Sequence, residues 1–116
     1  MRAISAFDKN RFLSEKNKIQ LIKGNATQTI PQYIAENPHL LISLLYLDFD
    51  IYEPTVSTIQ NFLPRMPKGA IIAFDEINNP YWAGETLAML ENLEVSRLRL
   101  KCFPFDPHVS YAIIGD

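Results

Sequence analysis

The sequence predicts an α/β fold: a sheet of parallel strands with helices between them, closed by an antiparallel hairpin at the C-terminal end. Three observations carry this. Short apolar runs alternate with segments whose apolar residues recur at helical spacing, which implies right-handed crossovers between parallel strands. Two of those runs end abruptly in carboxylates, at Asp48 with Asp50 and at Asp75 with Glu76. The last part of the chain then changes to polar–apolar alternation, the pattern of antiparallel strands.

The elements follow in order. Residues 1–18 are polar and weakly periodic and read as a peripheral lead-in; Phe7, Phe12 and Leu13 could anchor a short helix. The domain is placed at 19–116. Ile19-Gln20-Leu21-Ile22-Lys23 is short and β-branched, and Gly24-Asn25 stops it, so it reads as a strand. Thr27 or Thr29 can cap the next helix, Pro31 suits a first turn, and Ile30, Tyr33 and Ile34 form an apolar stripe. Asn37-Pro38 ends that helix. Leu40 to Leu47 is a strand of the kind buried on both faces. Pro54 to Leu63 is a helix with Val56, Ile59, Phe62 and Leu63 on one face, and residues 64–69 turn the chain. Ala70 to Phe74 is a second buried-type strand, and Asn78-Asn79-Pro80 makes a loop. Ala83 to Leu93 is a helix with Leu87, Met89 and Leu90 toward the sheet and Glu85, Glu91 and Glu94 outward. Arg97 to Phe103 alternates as a strand, Asp106-Pro107-His108 turns, and Val109 to Ile114 returns. The expected order is β-α-β-α-β-α-β-β.

Composition narrows the class of protein. A chain of 116 residues suits one core. With 47% apolar and 21% charged residues it reads as folded rather than disordered. The net charge of −2, with Lys and Arg scattered, gives no basic stripe and no reason to expect nucleic acid. The single cysteine, Cys102, excludes an internal disulfide and fits a reducing compartment; in an amphipathic strand it reads as a buried structural thiol. No apolar run approaches the ~20 residues of a membrane span, and the start has no long apolar stretch of the secretory kind. A cytoplasmic protein without a membrane partner is expected.

The chemistry concentrates at the two acidic strand ends. Strand side chains alternate, so Asp48 and Asp50 share a face if the extended backbone continues. The carboxyl ends of parallel strands are where open α/β sheets place ligands. Strands ~4.8 Å apart would let four carboxylates converge on one ion. Arg65 and Lys68 belong to the turn at the opposite edge and cannot neutralise them. Oxygen ligands suit a hard cation such as Mg²⁺, and a carboxylate outside its coordination sphere could act as general base. Acidic residues at strand ends also cap helices or face water without further role. His39, His108, Tyr81 and Trp82 carry weaker signals, and there is neither a G-x-G-x-x-G nor a P-loop.

These residues resemble a known family. Leu47-Asp48-Phe49-Asp50-Ile51-Tyr52-Glu53, then Leu63-Pro64-Arg65-Met66-Pro67-Lys68-Gly69-Ala70-Ile71-Ile72-Ala73-Phe74-Asp75-Glu76, is similar to the macrocin O-methyltransferase (TylF-like) family. These are class I S-adenosylmethionine-dependent methyltransferases acting on sugar hydroxyls. The resemblance covers roughly residues 19–114. It implies that Asp48, Asp75 and Glu76 bind a divalent cation, Mg²⁺, and that Asp50 is the general base. It also implies that Gly24, Asn25 and Ala26 lie where the family approaches the adenine of S-adenosylmethionine. Glu85 and Thr86, in Trp82-Ala83-Gly84-Glu85-Thr86, match a recurrent segment of one subgroup, with no role assigned. The family's Gly-rich cofactor loop and ribose-binding acid are absent, and Asn25 and Glu76 stand where Asp is common. The resemblance is therefore to a C-terminal half.

Two readings follow for function, with a third behind them. One is the C-terminal half of a metal-dependent sugar O-methyltransferase whose partner is a small-molecule hydroxyl acceptor. Another is a non-catalytic α/β module, a homo-oligomer or a half that pairs with a missing N-terminal half, since a sheet lacking strands exposes an edge. A metal-dependent hydrolase using the same carboxylates is the third.

Overall fold

The computed structural model describes residues 18–116. The lead-in at 1–18, with Phe7, Phe12 and Leu13, falls almost wholly outside the described residues. Helix α1 spans Ala26–Glu36, strand β1 Leu44–Leu47, helix α2 Tyr52–Phe62, strand β2 Ile71–Phe74 and helix α3 Gly84–Asn92. Strands β3 (Lys101–Phe103) and β4 (Asp106–Ile113) form the closing hairpin. Short 3₁₀ turns follow α2 and α3, at Leu63–Arg65 and Val95–Arg97.

One four-stranded sheet results, in the order β1-β2-β4-β3. β1 and β2 are parallel, with Leu44 opposite Ile71 and Leu47 opposite Phe74. β4 is antiparallel to both β2 and β3. The mixed α/β fold and the terminal antiparallel strand are as predicted. Residues 19–23 are not: they join no ladder, and Ile19, Leu21 and Ile22 are exposed. A strand is defined by its neighbour, and these residues have none among the described residues.

The helix caps also differ from expectation. Asn25, not a threonine, caps α1; its Oδ1 accepts from the Thr27 N–H at 3.0 Å and the Thr27 hydroxyl at 2.8 Å. This earlier start puts Pro31 inside the helix rather than in its first turn. In the hairpin, Pro104 and Phe105 make the turn, and Asp106 is already paired with Phe103. Pro104 presets the backbone for the first corner of a turn. Pro107 falls before the part of β4 that pairs with β2, where no ladder bond is asked of it.

The core lies on one side of the sheet. Leu45 and Leu47 of β1, Ile72 and Phe74 of β2 and Ala112 of β4 pack with Ile59 of α2 and Ala88 and Met89 of α3. Val56, Phe62 and Leu63 join at its margin, so the apolar face predicted for α2 is present. Thr55 and Thr58 are buried beside Ile59 because their hydroxyls donate to the Ile51 and Pro54 carbonyls, each at 2.7 Å. Among the described residues the opposite face is open, contrary to strands buried on both faces. There Leu44, Tyr46, Ile71, Ala73, Phe103, Val109 and Tyr111 line an apolar groove of about 380 Å³.

Two further expectations are corrected. Cys102 is exposed, because the short β3 sits at the sheet edge with nothing over it. Helix α3 is rotated from its predicted phase: Leu87 and Leu90 face outward, whereas Ala88, Met89 and Glu85 are buried. Gly84 explains the rotation. A Cβ there would lie 2.5 Å from the Tyr52 nitrogen and 2.6 Å from the Ile51 carbonyl carbon, so only glycine lets α3 start this close to α2.

Candidate active site

Parallel pairing of β1 and β2 sends both carboxyl ends to one edge, and the ladder continues one step further: the Asp75 N–H donates to the Leu47 carbonyl at 3.0 Å. Asp48 and Asp75 are therefore neighbours. Past Asp48 the backbone turns sharply at Asp50, whose φ of 60° is the left-handed conformation that Asp and Asn tolerate better than most residues. The turn brings Asp50 back over the strand ends. One carboxylate oxygen each from Asp48, Asp50 and Asp75 lies within 4.8 Å of the others. Glu76 is not in that set; its Oε2 accepts from Asn79 Nδ2 at 2.7 Å.

The electrostatics follow from crowding like charges. The Asp48 carboxyl is pushed up, first by a hydrogen bond shared with Asp75, then by partial desolvation and the charges of Asp75, Asp50 and Glu76. Oδ1 of Asp50 is buried and has no hydrogen-bond partner among the described residues. An unpaired buried carboxylate oxygen is costly, so a proton donor or a cation at that atom would be favourable. Oxygen donors clustered this closely, without Lys or Arg among them, suit a hard divalent cation. Arg65 is indeed at the other edge, donating to the Pro38 carbonyl at 2.6 Å.

Three residues to which the sequence assigned no role at the site hold this arrangement. Tyr46 donates its hydroxyl to Asp75 Oδ1 at 2.7 Å, and that bond is the main reason its pKa is pushed up to about 12. The signal was present, since Tyr46 stands two residues before Asp48 on the same strand face. Thr86 accepts the Asn78 N–H on its hydroxyl at 2.7 Å and so pins the loop after Asp75-Glu76 to α3. Asn79 secures the same loop through Glu76 and through the Tyr81 N–H, 3.0 Å from its Oδ1. Tyr81 and Trp82 are exposed; a cavity of about 370 Å³ beside them is lined instead by Asn78, Asn79, Pro80, Ala83 and Thr86. His39 and His108 are exposed.

The proposed cofactor residues sit on the other side of the strand end. Gly24 and Ala26 line a largely apolar cavity of about 320 Å³ with Ile22, Thr29, Ile30, Tyr33, Phe49 and Phe62. Phe49 lies between Asp48 and Asp50 in sequence, so one strand end serves both the cavity and the acidic cluster. Gly24 has a φ of 136° and a Cβ there would meet the Thr29 methyl at 2.9 Å, which makes glycine necessary. Asn25 spends its side-chain oxygen on the helix cap.

Parallel strands ending in an acidic cluster, with an antiparallel strand beside them, make this a partial Rossmann-like fold of the class I methyltransferase type. Among solved structures the chain is similar to CalS11, a TDP-rhamnose 3′-O-methyltransferase of calicheamicin biosynthesis. The identity is 36% and the TM-score 0.93, over 99% of this chain and 49% of that one. A second structure of CalS11, a calicheamicin methyltransferase, gives the same identity and TM-score over 45% of its chain. The O-methyltransferase NovP shares the fold, with a TM-score of 0.71 at 18% identity, over 97% of this chain and 42% of that one. The likeness to class I O-methyltransferases read from the strand ends is thus borne out. The chain spans about half the length of the solved structures it matches. No protein-family model and no curated protein matches the sequence.

Proposed function

We propose that the chain carries the metal and acceptor side of an S-adenosylmethionine-dependent O-methyltransferase acting on a sugar hydroxyl, as the C-terminal half of a macrocin-type enzyme in the cytoplasm. The observation that supports it most is the Asp48–Asp50–Asp75 cluster with the unpartnered, buried Oδ1 of Asp50, in a chain 36% identical to a sugar O-methyltransferase.

In this reading Asp48 and Asp75 would hold Mg²⁺, with Glu76, whose Oε2 accepts from Asn79, as the further candidate ligand. When bound, the ion lowers the pKa of the acceptor hydroxyl and orients it. Asp50 accepts the hydroxyl proton at Oδ1 as the oxygen takes the methyl group from the sulfonium, leaving S-adenosylhomocysteine. Tyr46 keeps Asp75 oriented and stays protonated throughout the usable pH range. Gly24, Asn25 and Ala26 form the near wall of the cofactor's adenine site, and residues 19–116 act as one partial domain.

A chimera tests this: residues 19–116 replace the matching part of CalS11, and methyl transfer from S-adenosylmethionine to TDP-rhamnose is followed. Chelation should abolish transfer and Mg²⁺ restore it, and Asp50→Asn should lower turnover by ~10²–10⁴-fold, the usual contribution of a general base. A chimera that binds the cofactor and turns over regardless of chelator and of Asp50→Asn sinks the reading.

The open apolar face favours a second reading alongside the first. A sheet with Leu44 and Tyr46 facing water suits a module that pairs with a second copy or with a complementary half-domain.

A further inference from the structure

We propose that Glu85 is an inner carboxylate of the divalent-cation centre, a positioning residue that faces the surface cluster from inside the protein. This rests on the reading of the acidic edge as a metal site. Glu85 is fully buried, at 0% exposure, and neither of its carboxylate oxygens has a hydrogen-bond partner among the described residues. No ion pair reaches it among the described residues; the paired cations there are Arg97 with Glu94 and Lys101 with Asp116.

Its position is fixed by the backbone. Gly84 presses the start of α3 against Ile51 and Tyr52, directly after Asp50, so Glu85 follows at the point where α3 meets the acidic turn. The charges that act on Glu85 are those of Asp50, Asp75 and Asp48. The backbone N–H of Glu76 pulls its pKa the other way without closing a well-formed hydrogen bond, and burial dominates, so the pKa is pushed up to about 7. The buried Oδ1 of Asp50, a member of the cluster, and the buried carboxylate of Glu85 are thus both without a hydrogen-bond partner among the described residues.

Packing alone does not account for such a residue. A glutamine or methionine would fill the same space without a charge, and the first turn of a helix compensates a carboxylate only in part. A cation held by the surface cluster compensates it directly. Glu85 lies outside the set of oxygens within 4.8 Å of one another, so it acts across a water or through Asp50 rather than as a fourth member of that set. Groups in this position commonly set metal affinity by 10–100-fold.

The experiment is titration calorimetry of the full 116-residue chain with MnCl₂ near pH 8, with the electron paramagnetic resonance spectrum of the bound Mn²⁺ as second readout. Glu85→Gln should weaken Mn²⁺ binding by roughly 10–100-fold and alter the spectrum, with circular dichroism unchanged. Should Glu85→Gln lose its fold, Glu85→Asp carries the test, because it keeps the charge and withdraws the oxygens by one methylene. Wild-type affinity in the folded variant, with an unchanged spectrum, overturns the role of Glu85 and leaves the surface cluster standing. A wild-type chain that binds no Mn²⁺ overturns both.

Discussion

Single residues at the acidic edge do two things at once. Tyr46 belongs to a strand, yet its hydroxyl serves Asp75; Tyr46→Phe should leave the melting curve nearly unchanged and weaken Mn²⁺ binding by roughly tenfold in calorimetry. Glu85 sets a pH dependence whose sign follows from its pKa. The folded value of about 7 lies above the unfolded 4.5, so the stability it contributes is fully present below about 4.5 and is lost as pH rises through about 7. At about 1.4 kcal/mol per pH unit this is at most roughly 3 kcal/mol, and less where water reaches the carboxylate. In metal-free protein, Glu85→Gln should therefore gain on wild type in urea unfolding between pH 4.5 and 8; parallel curves would show that burial does not shift the group. The gathering of Asp48, Asp50 and Asp75 was legible from the two acidic strand ends, but not by the expected route. A left-handed turn, rather than a continued strand, brings Asp50 to the others, and Glu76 stays out of the set. Nothing in the sequence dictates that left-handed backbone. Glu85 was misread because an amphipathic pattern sends carboxylates to water, and a glycine before a helix is an ordinary sight until its neighbours are known.

At the scale of elements, periodicity located β1, β2, α2 and α3 and their order. What it missed depends on neighbours. Residues 19–23 have strand composition but no partner, and the phase of α3 was decided by its contact with α2 rather than by its own apolar residues. That contact can be tested. Gly84→Ala places a methyl 2.5 Å from backbone nitrogen, where no flexible side chain can yield. It should destabilise the chain by about 2 kcal/mol or more in urea denaturation and also weaken Mn²⁺ binding, because α3 carries Glu85 and Thr86. A surface control, Leu87→Ala, should do neither, since Leu87 is outward. The hairpin shows the same limit of local reading: two prolines competed for the turn, and the pairing of β4 with β2 chose between them.

Among the described residues the sheet has one covered face and one open face. The open one places Leu44, Tyr46, Phe103 and Tyr111 side by side, with the Phe103 and Tyr111 rings stacked at 5.2 Å. Composition alone could not show this, because a strand run of leucines reads the same whether one face or two are packed. A groove of this kind on a small protein is suited to an interaction surface, which the second reading proposes. Light scattering should find the chain larger than a monomer at tens of micromolar, and Leu44→Glu with Val109→Glu should return it to monomer; a wild-type monomer at all concentrations would count against pairing through this face. The same face makes stability a mass-action quantity. An occupant that binds this face of the folded chain and not the unfolded one raises stability by ~2.7 kcal/mol at a hundred times its dissociation constant, and the melting temperature climbs with its concentration. A single melting temperature for this chain therefore has no meaning until the concentration is stated.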